Sequence, residues 1–548
     1  FQNTAFEATP LMVDGVLYTS TSFSQVAAIN ASDGTSIWTY DPQAYQYARP
    51  PNNGFLHRGV SYIEGRPGKF IHMPTGDGRL ISLNAISGEP VSQFGVLSNG
   101  VVDLLEGVPR LNESTMQLDD AHDQPDVPDL AGVVSQIGNS SPGIICRNTL
   151  VLGSSIHDGE VLPPSPPGDV RGFDPYSGEL LWTFHTVPRE GEFGVDTWMN
   201  ESWKVNGNTN VWPPMSADET LGMVYLPTGV PTNNYYGGRR HGDNLFANSV
   251  VALDCETGER VWHFQTVHHD IWDYDLPAAP NLVDIEVEGE LIKALVQVTK
   301  QGFLFVFDRE TGEPVWPIIE TPVPASDVPG ELASTTQPIP SWPLPFVRQG
   351  SSRDDIVDQT VVANYSFGPL YTPPTTNGLV ITPGEGGGAN WGGAAFDPET
   401  KVLYVVGFGP LTHVVTLQDG GQPDFYYGLP ELLFGPASAS PYGGDGSKIT
   451  AYNMNSGEIL WQVAGSSDSK TIGNSSIMIS GDLLYYKNSS LGTLNVFSKS
   501  DGELLREIPL GGRPTGSPMT YLVDGKQFVV IALGRQDEKM ELVALSIP

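Results

Sequence analysis

Basic residues and long apolar runs are scarce in this chain. Its 548 residues include 28 Lys plus Arg against 63 Asp plus Glu, which gives a net charge of −35. A chain with this excess of negative charge repels phosphate backbones and anionic lipid headgroups. We therefore expect neither nucleic acid nor an anionic membrane surface as a partner. No apolar run approaches the roughly 18 residues that a transmembrane helix requires, so no membrane span is predicted.

Cysteine is equally rare, since Cys146 and Cys255 are the two in the chain. There is no CxxCH motif, which argues against covalently attached haem. The sequence leaves open whether the two cysteines pair, and two isolated thiols are the simplest interpretation.

Acceptor motifs for N-glycosylation recur along the chain. The seven Asn-x-Ser triplets begin at Asn30, Asn112, Asn139, Asn200, Asn364, Asn474 and Asn488. Each match alone is weak, but seven in an acidic, cysteine-poor chain favour a secreted eukaryotic glycoprotein. The alternative is a periplasmic protein, if the source is bacterial. The first residue is Phe1 rather than Met, as in a processed mature chain or a deliberately shortened one.

Helical periodicity is nearly absent, and one pattern repeats instead. An apolar run ends in Asp or Asn, Gly follows four residues later, and Trp four residues after that. Clear copies span residues 30–38, 174–182, 254–262, 308–316 and 453–461. Weaker copies end at Gly88 and Gly502 without the Trp, and a degenerate unit lies at residues 391–398.

Each copy has the composition of a β-hairpin, in which the Asx side chain caps the turn and Gly takes the positive-φ corner. The repeat predicts an all-β fold: a single eight-bladed β-propeller of four-stranded antiparallel sheets over residues 1–548. Loop insertions are expected at about residues 95–140, 158–170, 320–365 and 410–445. An open β-solenoid or two sandwiches is the alternative, and the regular Gly–Trp spacing disfavours both. The repeat tryptophans Trp38, Trp182, Trp262, Trp316 and Trp461 are interpreted as packing groups.

The most unusual stretch is HHDIWDYDLP, at residues 268–277. Carboxylates so close repel one another unless a cation or several donors lie between them. Either the stretch is a solvated loop or it lines a pocket for a metal and proton transfer. Lys300 follows Asp273 by 27 residues, and we favour the pocket, with His269 and Asp270 as a hydrogen-bonded scaffold.

Together these motifs resemble the dehydrogenases that depend on pyrroloquinoline quinone (PQQ). The resemblance rests on the tryptophan repeats, on HHDxWDxDLP and on the closing GSPMTY at residues 516–521. It runs from residues 8–15 to the last blade and is nearest to the glucose and alcohol dehydrogenase branches. It implies a quinone in the propeller centre, a metal ion (Ca²⁺, another divalent ion or a lanthanide), a small-molecule substrate and an external electron acceptor.

The resemblance also assigns roles to residues. Asp273 matches the catalytic base and Lys300 the cation that donates to the quinone oxygens. Trp212 matches the indole on which the quinone stacks, and Arg58 pairs with a cofactor carboxylate. The remaining cofactor contacts are Glu7, Ser140, Ser155, Asn390 and Trp391, and the metal carboxylates are Asp158, Asp273 and Asp275.

The leading hypothesis is therefore oxidation of an alcohol, polyol or aldose by hydride transfer to PQQ with a metal ion. A second hypothesis is a PQQ-free propeller enzyme that uses the same acidic pocket for dehydration, cyclisation or hydrolysis. A third is a non-enzymatic binding platform. Neither the substrate nor the oligomeric state follows from the sequence.

Overall fold

Antiparallel sheets arranged in sequence order make up most of the chain. The computed structural model describes residues 4–52, 54–105, 110–112, 117–119, 133–157, 164–355, 362–408, 413–420, 426–432, 447–465, 475–535 and 538–546. Within these residues, eight antiparallel sheets of three or four strands form the blades of a propeller. Six blades contain four described strands, and blades 5 and 8 contain three. The predicted eight-bladed, all-β propeller is confirmed.

The strands of the eight blades are, in chain order, Leu11–Val13, Val16–Ser20, Val26–Asn30 and Ser36–Tyr40 (blade 1); Ser61–Glu64, Lys69–Pro74, Arg79–Asn84 and Val101–Asp103 (blade 2); Ile144–Cys146, Thr149–Leu152, Val170–Phe173 and Leu180–Phe184 (blade 3); Ser216–Asp218, Met223–Pro227, Ser249–Asp254 and Arg260–Gln265 (blade 4); Asn281–Val287, Glu290–Val298 and Leu304–Asp308 (blade 5); Ala394–Asp397, Val402–Gly407, Lys448–Asn453 and Glu458–Ala464 (blade 6); Ile477–Ser480, Leu483–Asn488, Thr493–Ser498 and Leu504–Pro509 (blade 7); and Met519–Val523, Lys526–Leu533 and Glu541–Ser546 (blade 8).

The remaining elements are short and lie before, between or within the blades. The strands outside the blades are Thr4–Ala5, Phe55–Leu56, Arg110–Asn112, Gln117–Asp119, Val133–Val134, Ile137–Gly138, Ser155–Ile156, Ile318–Pro322, Thr336–Pro340, Leu379–Ile381, His413–Asp419 and Tyr426–Leu432. The helical segments are the α-helix Ala44–Tyr47 and the 3₁₀ segments Val195–Thr197, Met199–Lys204 and Arg353–Asp355. Among the described residues, no helix is both long and apolar enough to cross a bilayer.

The repeat tryptophans join neighbouring blades. The Trp182 indole of blade 3 packs on Gly258 of blade 4, and its Nε1 donates to the Cys255 carbonyl at 3.0 Å. Gly258 has φ 70°, and an added Cβ would meet the Trp182 ring, so both the turn and the contact require glycine. Trp38 packs on Gly88 and Trp262 on Gly312 in the same way, and each Nε1 donates to a carbonyl of the next blade at 3.0 Å. Trp461 packs on Gly502 without such a hydrogen bond from its buried Nε1.

Two repeat units take different places from those predicted. At the contact between blades 5 and 6, Trp342 packs on Gly457 and its Nε1 donates to the Ser456 carbonyl at 2.7 Å. The repeat residue Trp316 packs instead against an apolar cluster that blades 5 and 6 share. The degenerate unit at residues 391–398 is no separate blade, because Ala394–Asp397 is the first strand of blade 6. The eighth blade is the C-terminal sheet.

The first and last blades close the ring. The Tyr521 hydroxyl of blade 8 donates to the Ala31 carbonyl at 2.7 Å, and the Phe6 N–H donates to the Gly534 carbonyl at 3.1 Å. Leu17 and Val530 belong to one apolar cluster that spans the two blades. Closure leaves neither terminal blade as an open edge of the ring.

A disulfide bond joins blades 3 and 4. Cys146 and Cys255 are fully buried and bonded, with their Cα atoms 5.9 Å apart. The interpretation as two isolated thiols was therefore wrong. Spacing could not reveal the pair, because 109 residues separate the cysteines and the ring alone brings them together.

The predicted insertions lie beside the blades. Val101–Asp103, inside the first predicted insertion, is the fourth strand of blade 2. The insertion after blade 5 contains a hairpin of Ile318–Pro322 and Thr336–Pro340. In blade 6, His413–Asp419 pairs with Tyr426–Leu432 and with Leu379–Ile381 in a separate small sheet. Residues 158–163 of the predicted insertion at 158–170, and parts of the other three, lie outside the described residues.

Candidate active site

A cavity of about 580 Å³ lies where equivalent positions of successive blades converge. Predicted site residues lie a few positions before the first strand of five consecutive blades, 2 to 6. Because propeller blades surround one axis, such residues meet at the centre. The predicted residues that line the cavity are Glu7, Arg58, Ser140, Ser155, Trp212, Asp273, Asp275, Lys300, Asn390 and Trp391.

The acidic stretch is folded around the carboxylate of Asp270. Its Oδ1 accepts the Trp272 N–H at 2.8 Å, and its Oδ2 accepts the Tyr274 N–H and the Asn248 amide, both at 2.7 Å. Burial raises the pKa of Asp270, and these donors only partly offset that effect. Asp270 thereby turns the backbone at Asp273, which has φ 60°. This agrees with the scaffold role predicted for Asp270.

Lys300 is the cation that lies between the clustered carboxylates. Its Nζ lies 3.1 Å from Oδ2 of Asp273, donates to the Asp273 carbonyl at 2.8 Å and contacts Oδ1 of Asp275. Burial alone would lower the pKa of Lys300, but the two carboxylates outweigh burial and raise it. Lys300 is therefore an ammonium ion at neutral pH, and it relieves the repulsion between Asp273 and Asp275.

Asn234 holds the other oxygen of Asp273. Its Nδ2 donates to Asp273 Oδ1 at 3.1 Å, while its own Oδ1 is buried without a hydrogen-bond partner. Asp273 is thus fixed between an amide and an ammonium group while it remains at the cavity wall. No sequence pattern marked Asn234, because it reaches the site from a loop 39 residues away.

A second polar cluster surrounds Arg58. Its guanidinium lies 3.1 Å from the Glu7 carboxylate and donates to Ser140 Oγ at 3.0 Å. The guanidinium carbon also lies 5.3 Å from the ring centroid of Trp212 and 4.9 Å from that of Trp391. Burial lowers the pKa of Arg58, and Glu7 opposes that shift. Two indoles and a cation therefore meet in one part of the cavity.

Several wall residues were not predicted. Glu385 and Gly386 come from a glycine-rich stretch just before Asn390, and Glu385 accepts the Tyr235 hydroxyl at 2.7 Å. Further unpredicted residues of the wall are Thr4, Ala5, Asn52, Leu56 and Arg535. The glycine-rich run next to the predicted Asn390 was the one available signal, and it points only to Glu385 and Gly386.

The predicted metal carboxylates are only partly brought together. Asp273 and Asp275 share the cavity wall, and Asp275 also accepts a hydrogen bond from the Trp212 indole. Asp158 lies outside the described residues. Within the described residues, no group of three or more His, Cys, Asp or Glu side chains could hold a metal ion. Two carboxylates of the oxygen-donor type that Ca²⁺ prefers are nevertheless present.

The comparison with known families decides the identity of this site. The model described as "PQQ: Glucose/ethanol/alcohol dehydrogenase, beta-propeller domain" matches residues 1–426 and 428–529. The chain belongs to the family of PQQ-dependent dehydrogenases. It is an oxidoreductase, as the named relatives of this family are.

Relatives in this family match across most of the chain. The quinoprotein glucose dehydrogenase of Escherichia coli (strain K12) is 30% identical over 96% of this chain and 70% of its own length. Quinoprotein glucose dehydrogenase A of Acinetobacter calcoaceticus is 28% identical over 97% of this chain and 71% of its own. Among solved structures, the quinohemoprotein alcohol dehydrogenase of Comamonas testosteroni shares the fold, with a TM-score of 0.68 and 23% identity, over 97% of this chain and 71% of its own.

The residues of this PQQ-family cavity fit the quinone cofactor. A flat tricarboxylate requires apolar faces and fixed cations. The cavity supplies the indoles of Trp212 and Trp391 and the cations of Arg58 and Lys300. The buried donors Nε1 of Trp391 and Nε of Arg58, and the buried acceptor Oδ1 of Asn234, have no protein partner and could bind a polar ligand.

Proposed function

We propose that this protein oxidises an alcohol, polyol or aldose by hydride transfer to PQQ, with a metal ion in the same cavity. The proposal rests on one observation above the others. Asp273 faces a cavity with two indoles while Lys300 and Asn234 hold its carboxylate. This is a fixed base beside a site for a flat anion.

The protein groups act on the proton and on the position of the substrate. Asp273 accepts the proton of the substrate hydroxyl, a role worth roughly 10²–10⁴-fold in rate for a positioned base. Lys300 places a positive charge 3.1 Å from the Asp273 carboxylate and holds its second oxygen. Asn234 fixes the orientation of Asp273. Bound PQQ supplies the two-electron oxidant.

The metal and the electron acceptor are part of the same proposal. Asp273 and Asp275 are the described carboxylates that would hold Ca²⁺, another divalent ion or a lanthanide, with Asp158 as the third predicted ligand. The europium-containing methanol dehydrogenase among the structural neighbours shares the fold, at a TM-score of 0.68. Because the chain has no CxxCH motif, electrons pass to a separate carrier.

Reconstitution tests the function directly. Metal-free protein is titrated with PQQ plus Ca²⁺ or a lanthanide, while quinone absorbance and tryptophan fluorescence are followed. We expect saturable one-to-one binding that Trp212→Ala and Lys300→Ala abolish. Trp203→Ala is the matched control, because Trp203 contacts Lys204 and does not line the cavity.

Two outcomes would overturn the proposal. If no PQQ binds with any metal, the chain is not a functional quinoprotein. If an activity appears without added PQQ or metal and is lost in Asp273→Asn, the cavity performs acid–base chemistry instead. The family match does not favour that second function.

We also propose that the protein is secreted and carries N-linked glycans. The buried disulfide supports an oxidising compartment. Of the seven motifs, Asn200 and Asn364 are exposed, whereas Asn139 and Asn488 are buried. Peptide mapping of the protein from a eukaryotic host should find glycans on Asn200 and Asn364 and none on Asn139 or Asn488. Glycans on the buried pair would contradict the proposal.

A further inference from the structure

Lys487 is a buried cation that no sequence pattern marked. It lies on strand Leu483–Asn488 of blade 7 and is 1% exposed. Its Nζ donates to the Thr515 carbonyl at 3.0 Å and lies 4.8 Å from the ring centroid of Trp391. Arg58 lies 4.9 Å from the same ring. Two cations therefore contact one indole of the cofactor cavity.

The charges around this indole do not balance. Burying an ammonium group costs several kcal/mol unless a counter-charge compensates. Within the described part of the chain, Lys487 forms no ion pair, and Arg58 is paired with Glu7. Two cations thus share one carboxylate. In addition, Nε of Arg58 and Nε1 of Trp391 are buried donors without protein partners.

Two cations beside donors that have no protein partner form a site that favours an anion. We propose that Lys487, which contacts the Trp391 ring, supplies a second positive charge for a carboxylate of the cofactor bound beside Arg58. Lys487 does not line the cavity, so it acts on the anion through the electric field and through the position of Trp391. The inference rests on the proposed function, because it takes PQQ as the anion.

The proposal has a pH signature. Burial lowers the pKa of Lys487 to about 8, with Glu7 opposing that shift and Arg58 adding to it. A bound anion stabilises the ammonium form and raises this pKa. Binding near pH 8 should therefore take up as much as about half a proton. Above pH 8 the free protein loses the charge, and affinity falls by as much as about tenfold for each pKa unit that the anion restores.

Calorimetry of PQQ binding in the presence of Ca²⁺ measures both effects. Titrations at pH 7, 8 and 9, in two buffers with different ionisation enthalpies, give the affinity and the number of protons taken up. The proteins are wild type, Lys487→Met, Lys487→Arg and the control Lys526→Met. Lys526 also lies over an aromatic ring, that of Phe528, but on an exposed hairpin of blade 8.

We expect wild type and Lys526→Met to take up a proton near pH 8 and to bind more weakly at pH 9. Lys487→Met should bind more weakly at pH 7, with an affinity that does not change between pH 7 and pH 9. Lys487→Arg should keep the wild-type affinity at pH 7 and lose the pH dependence.

Three other results would contradict the role of Lys487, and they distinguish its failure from a failure of the proposed function. If Lys487→Met keeps the wild-type affinity and proton uptake, Lys487 has a structural role only, and the quinoprotein assignment stands. Should Lys487→Met fail to fold, an absence of proton uptake by wild type would overturn the inference on its own. If wild type binds no PQQ, the proposed function fails, and the inference fails with it.

Discussion

Single residues at this site combine a fixed position with a fixed charge. Asp273 is held by Asn234 at one oxygen and by Lys300 at the other, so its replacement by Asn changes charge more than shape. We expect Asp273→Asn to bind PQQ and to lower kcat by about 10²–10⁴-fold, because the amide cannot accept the hydroxyl proton.

Dye-linked turnover, measured beside a PQQ titration of the same preparation, checks this prediction. A variant that retains wild-type kcat would exclude Asp273 as the base. A variant that loses both turnover and PQQ binding would show that Asp273 holds the cofactor. Asn234→Ala should be milder, because it leaves the carboxylate in place and removes one orienting hydrogen bond.

His72 makes the fold sensitive to acid. It is fully buried in blade 2, neither ring nitrogen has a hydrogen-bond partner, and burial lowers its pKa to about 3. An unfolded chain binds this proton near pH 6.5, so the unfolded state takes up more protons between pH 6.5 and pH 3. Stability should therefore fall as the pH falls through that range, by up to about 1.4 kcal/mol per unit.

The variant His72→Leu isolates this effect. It replaces an unpaired polar ring with an apolar side chain, which costs little when no hydrogen bond is lost. We expect the midpoint of thermal unfolding to change little at pH 7 and to fall less steeply than that of wild type towards pH 4. The half-buried His241 provides the control His241→Leu. Parallel pH profiles for His72→Leu and wild type would contradict the prediction.

At the scale of elements, the insertion after blade 5 holds the loop that carries Asp273 in place. Oε1 of Glu331 lies 2.7 Å from His269 Nε2, and its Oε2 accepts the Gly237 N–H at 2.6 Å. His269 Nδ1 contacts the Gly242 carbonyl at 2.8 Å. The insertion after blade 5 thus joins the loop that carries Asp273 to the loop that carries Asn234.

We expect Glu331→Gln to lower kcat by roughly ten- to a hundredfold, because a hydrogen bond to a charged group contributes about 1.5–3 kcal/mol. PQQ stoichiometry should not change, because Glu331 does not line the cavity. Glu320→Gln is the matched control, since Glu320 contacts His268 at 3.1 Å from the same insertion but is exposed. Equal kcat values for the two variants would show that Glu331 does not position the base.

Short sequence motifs predicted the strands and turns that they contain. They did not predict contacts between distant segments of the chain. The Asx–Gly–Trp repeat predicted Trp182 and Trp262 as packing groups, because each copy contains a strand, a turn and an indole. Trp342 was not predicted, because it lies in an insertion and donates to the Ser456 carbonyl, 114 residues away in the sequence. Asn234, Glu331 and Lys487 were not predicted for the same reason, because each contacts its partner from a separate segment of the chain.

At the scale of the whole molecule, the ring brings distant segments together and the disulfide keeps two of them joined. Cys146 and Cys255 lie in one apolar cluster with Trp182, at the contact between blades 3 and 4. The disulfide therefore strengthens the contact between blades 3 and 4 that the repeat residue Trp182 already forms.

Removing the bond should lower the free energy of unfolding by about 2–5 kcal/mol. The chain-entropy estimate lies near the upper end, about 4.7 kcal/mol for a loop of 100 residues, because without the bond the unfolded chain regains the conformational entropy that closing this long loop removes. Urea unfolding of the double variant Cys146→Ala/Cys255→Ala, followed by tryptophan fluorescence, measures the change. Reductant should shift the wild-type midpoint towards that of the variant and leave the variant unchanged. Identical midpoints for wild type and variant would mean that the packing of Trp182 on Gly258 already holds this seam without the bond.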